Sequence, residues 1–68
     1  MSSIDREVAD TVETIASDVQ RWPSDKQSAD YTVKKLPAHL VVWQLVKRLG
    51  GEHDVAGTGN VITVKRRP

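Results

Sequence analysis

His39 and His53 are the only histidines of the chain. A metal centre built on them would recruit carboxylates such as Glu52 and Asp54. The sequence has no His-Glu-x-x-His spacing, which sets two imidazoles on one face of a helix, and it has no cysteine. His39 reads as an unliganded side chain in the first turn of a helix, and His53-Asp54 as the solvated start of a strand. The serines lie at helix starts and in a polar stretch, where capping is their ordinary work. None is flanked by glycines in the manner of a nucleophile elbow. Gly57-x-Gly59 has the small residues of a phosphate loop without the Gly-Lys-Ser/Thr that must follow, and it leads into a strand rather than a helix. A chain of 68 residues also has little room for a water-excluding pocket around a small-molecule substrate. These patterns predict no catalytic residue, no metal and no cofactor, and a protein that is not an enzyme.

What remains is charge and apolar surface. Residues 1–30 hold seven acids against three bases, a formal −4, and residues 31–68 hold seven bases against two acids, a formal +5. The seven bases are Lys34, Lys35, Lys47, Arg48, Lys65, Arg66 and Arg67. Gathered on one face they would make a phosphate-facing patch. The same asymmetry is met equally well by two halves that attract each other within one fold.

These side chains must be positioned by short elements. Val8, Val12, Ile15, Val19 and Trp22 recur at spacings of four and three, the stripe of an amphipathic helix over 3–21, with Ile4 one turn back. Ser2 or Ser3 can cap it, Arg6/Asp10 and Asp18/Arg21 have the spacing of helix ion pairs, and Pro23 ends it. Residues 23–30 read as a polar connection. Residues 31–34 alternate as a short strand. Pro37 suits the first turn of a second helix over 37–49, stopped by Gly50-Gly51. Its apolar residues cover more than one face, so it is expected to be the most buried element, with Val42, Leu45, Val46 and Leu49 against Val12, Ile15, Val19, Val33, Ile62 or Val64. Residues 53–65 read as a hairpin with Gly57-Thr58-Gly59-Asn60 as its loop. The expected fold is a single α+β domain, one layer of helices on a three-stranded, mostly antiparallel sheet, in the order helix, strand, helix, strand, strand.

Two functions fit. The first is a small protein-interaction module, an adaptor or regulator, possible as a homodimer. Its contact would be the coiled-coil-like seam Val8, Val12, Ile15, Val19 and Trp22, with Trp22 as the anchor. Small chains often complete their cores with a second copy. The second is a nucleic-acid-binding regulator using the basic half. Residues 37–67, a helix followed by a Gly-rich hairpin with a basic end, are similar in topology to the close of a winged helix-turn-helix domain. That resemblance implies DNA binding, for which the charge layout offers the seven bases above as phosphate contacts. The helix nevertheless carries apolar residues where Arg, Asn or Gln would read base edges. The longest apolar run, Leu40 to Trp43, is far short of the ~20 residues of a spanning helix. With no secretory profile at the start of the chain, a cytoplasmic protein without membrane contact is expected.

Overall fold

The computed structural model describes residues 3–34 and 37–68. Ser2, Lys35 and the side chains of Ser3 and Ile4 lie outside the described residues. The element order is α1 (Ser3–Gln20), β1 (Ser28–Thr32), α2 (Ala38–Leu49), β2 (His53–Thr58) and β3 (Val61–Arg66). This is the expected α+β order. The three strands form one antiparallel sheet in the order β1-β3-β2.

The central place of β3 follows from its composition. Val61-Ile62-Thr63-Val64 is the only run of four β-favouring residues, and its inward pair Ile62 and Val64 is fully buried. β1 begins at Ser28, three residues earlier than its own propensity suggests. Ser28, Ala29 and Asp30 are poor strand formers that are recruited by pairing with Lys65, Val64 and Thr63. The Thr63 hydroxyl donates to the Asp30 carboxylate at 2.7 Å across that ladder. Val33 lies beyond the strand, and its N–H donates to the Asn60 carbonyl at 2.7 Å. The hairpin loop is shorter than expected. Gly57 and Thr58 belong to β2, and Thr58 pairs with Val61. The turn is Gly59-Asn60, with Gly59 at φ 61°, the conformation a two-residue hairpin demands and a side chain resists.

Both helices lie on one face of the sheet. Val8, Val12, Ile15, Ala16, Val19 and Trp22 of α1 and its C-terminal extension join Ala38, Val41, Leu45 and Leu49 of α2, and Val33, Ile62 and Val64, in one core. Pro37 is the residue before α2 rather than its first residue, at φ −68° and ψ 116°. Gly57 lets α2 come close to β2: a Cβ there would sit 2.8 Å from Val42 Cγ2. Neither Arg6/Asp10 nor Asp18/Arg21 forms an ion pair. Asp18 accepts instead from Tyr31, and Arg21 Nε donates to the Ser17 carbonyl at 3.4 Å.

Candidate protein-interaction surface

The stripe expected to meet a partner is consumed by the fold. Val8, Val12, Ile15, Val19 and Trp22 are all buried against the chain's own second helix and sheet. A helix with one apolar stripe and a sheet to cover it keeps little apolar surface outside the core, here the edge of the stripe beside Ala9. Trp22 is fixed further by polar contacts. Its indole N–H donates to the Tyr31 hydroxyl at 3.1 Å, and that hydroxyl donates to Asp18 Oδ2. The bond from Tyr31 holds the Asp18 carboxyl below its usual value, and burial followed by the bond to Asp18 pushes Tyr31 up to about 12. His53 meets the Trp22 ring edge-on at 5.8 Å, and its Nδ1 is buried without a partner.

The six of the seven bases that lie among the described residues are spread over different parts of the fold. Arg48 pairs with Glu13 in the seam between the helices, and that contact raises its pKa. Arg66 turns toward the core side of the sheet. Its Nε and Nη2 donate to the carbonyls of Lys26 and Pro23 at 2.7 and 3.1 Å, and its guanidinium lies 5.7 Å from the Trp22 ring. Arg67 pairs with Asp54 at 2.9 Å. Lys65 alternates with the buried Val64 and so points from the opposite face of the sheet, between Ser28 and Asp54 in register. Lys34 is exposed after β1. Lys47 stands on α2 with its ammonium 3.6 Å from the centroid of the Trp43 ring. The attraction between the two halves is realised directly at Glu13–Arg48.

The histidines are equally dispersed. His39 is exposed on the first turn of α2, while His53 lies under Trp22. Among the described residues no group of three His, Cys, Asp or Glu is placed to hold a metal ion. No described helix is long and apolar enough to cross a membrane.

Among the described residues, the large apolar side chains left exposed are on α2. Leu40, Trp43 and Val46 are 37%, 56% and 46% exposed, and they are the large exposed hydrophobics among the described residues. At about 100° per residue, positions three apart fall within an arc of about 120°, so the three make one ridge. The opposite side of the same helix carries the buried Ala38, Val41, Leu45 and Leu49. Val46 is therefore not the core residue its neighbours suggest, and Val42 is half-buried beside Gly57. Trp43 stands between two grooves. One, of about 430 Å³, runs between the helices beside Val8, Ala9 and Val12, with Asp5, Glu13 and Arg48 as its charged lining. The other, of about 620 Å³, lies toward the β2–β3 turn and is lined by His39, Val42, Val46 and Gly57. The sequence does contain the signal for this surface. Apolar residues on more than one face of a helix need more than one cover, and the described chain supplies cover for one face only.

No family model matches the chain, and neither a curated protein nor a solved structure matches it.

Proposed function

We infer that the protein is a non-enzymatic protein-interaction module whose docking surface is the exposed face of α2. The observation that supports this reading is the ridge Leu40, Trp43, Val46, an apolar strip with an exposed tryptophan at its centre. Tryptophan combines a large contact area with little conformational entropy to lose, and it dominates interfaces when a partner seals it from water. Lys47 lying over the ring supplies a charge beside the anchor. The basic residues favour nucleic acid less, because Arg48, Arg66 and Arg67 are already held by Glu13, by backbone carbonyls and by Asp54.

The test is site-specific photo-crosslinking in the cells that make the protein. A benzophenone side chain at Leu40 should give a defined protein adduct, with either a second copy or a foreign chain. The same group at Thr32, on the outer face of the sheet, should give none. Equal labelling from both positions, or none from Leu40, overturns the reading.

A further inference from the structure

We propose that the occupant of the α2 surface is a second copy of this chain, docked so that Trp43 of each copy enters the groove between α1 and α2 of the other. The inference rests on the docking reading above and adds its partner. Knob and hole lie side by side on one surface, which is what a two-fold interface requires: each copy offers the same projection and receives the same projection. The knob is Trp43 with Lys47 resting on its ring at 3.6 Å. On the α1 side the hole is lined by the exposed Ala9 with the buried Val8 and Val12 beside it and by the acids Asp5 and Glu13; on the α2 side it is lined by Arg48 and by Trp43 itself, so knob and hole share a wall. Glu13 is engaged by Arg48. Asp5 has no ion pair with another described residue. A tryptophan entering that groove brings its lysine to the carboxylate, so shape and charge are satisfied by one movement. Leu40 forms part of the groove wall, so the ridge is continuous with the hole that receives it.

The area sets the strength. A standard interface takes about 800 Å² from each partner, about a sixth of the 4852 Å² this chain exposes. A twelve-residue helix is about 18 Å long and about 10 Å wide. One helix face and its groove fall short of the standard area, so the dimer belongs at the weak end and is sought from about 1 μM to about 1 mM.

Sedimentation velocity over that range is the test, with far-UV circular dichroism to confirm that each variant is folded. The parent should shift from monomer to dimer. Trp43→Ala should be a folded monomer. Ala9→Arg should also be monomeric, because it fills the hole from an exposed position and leaves the ridge intact. Lys47→Glu and Asp5→Lys should each weaken association by about tenfold. An equimolar mixture of those two should recover it, since only the mixed dimer has opposite charges at both contacts. A parent that stays monomeric at about 1 mM overturns the proposal; crosslinking from Leu40 to a foreign protein would then keep the docking reading and remove the second copy. A dimer indifferent to Ala9→Arg and to the charge reversals also overturns it. Where Ala9→Arg does not fold, the recovery of the mixture decides.

Discussion

The two helices share one layer and treat their apolar residues in opposite ways. α1 has a single stripe at spacings of four and three, and the whole described stripe is buried. α2 is two-thirds as long, and its apolar residues divide between a buried side and an exposed ridge. A stripe of one width is used up by one neighbour. A helix apolar on two sides has a side left when its own sheet has covered the first. The regularity that made α1 look like a recognition seam is the sign of a helix satisfied by its own fold, and the untidier pattern of α2 is the one that leaves surface for a partner.

The largest expected effect is on the buried side of α2. Leu45 is fully buried, and Leu45→Ala should cost about 2–5 kcal/mol, a large share of what a small domain has. Urea denaturation should show the midpoint falling with an unchanged slope. A midpoint equal to the parent's would mean that α2 is not fixed to the core at all, and the contrast between its two sides would vanish.

Gly57→Ala comes next. Its Cβ would press on Val42 Cγ2 at 2.8 Å, and such overpacking costs about 1–3 kcal/mol. Val42→Ala in the same chain should return most of the loss. No recovery would show that the glycine serves the strand itself rather than the approach of α2.

The polar fastening of α1 gives a smaller effect with a definite sign. Tyr31 is the only tyrosine, so the rise in absorbance near 295 nm on raising the pH reports its ionisation alone. Its ionisation should centre at about 12, above the ordinary value of 10.0. A folded-state pKa that is raised contributes stability present below the unfolded value and lost as pH climbs through the folded one, here from about 10 to about 12. Asp18 is lowered, so its contribution is present above the usual carboxylate value and lost as pH falls. Tyr31→Phe should remove the first dependence and reduce the second, because Trp22, Lys26 and Arg21 also favour the Asp18 carboxylate. A Tyr31 midpoint at the ordinary value would show that the link between α1 and β1 opens in solution.

The smallest effect on stability sharpens the comparison most. Trp43→Ala should change the unfolding free energy by no more than about 0.5 kcal/mol, because the ring is more than half exposed. Loss of a tryptophan at little cost to the fold is the mark of a surface residue kept for contact. A cost equal to that of Leu45→Ala would make the ridge part of the core.

Much of the architecture was legible. Gly59-Asn60 before Val61-Ile62-Thr63-Val64 marks the hairpin, Pro23 and Pro37 bound the helices, and the spacing of Val12, Ile15 and Val19 gives the buried face of α1. The start of β1 was not, because Ser28 and Asp30 become strand only when β3 is beside them. The surface was less legible than the fold. Periodicity tells that α2 is apolar on two sides, yet only the position of the sheet decides that Leu45 is covered and Val46 is open. The partners of the bases were hidden for the same reason: Arg48 meets Glu13 across 35 residues and Arg66 reaches Pro23 across 43.

The sheet order has a consequence for synthesis on the ribosome. β1 and β2 have no hydrogen bonds to each other, and both wait for β3, the last of the three described strands in chain order. Until residues 61–66 have left the exit tunnel, the three-stranded sheet cannot form, and the inner sides of both helices have each other but no sheet to settle on. A nascent chain stalled before that point carries its apolar residues exposed, in reach of chaperones and proteases. Release of β3 then lets the ladders to β1 and β2 form, and the apolar sides of the helices gain their cover.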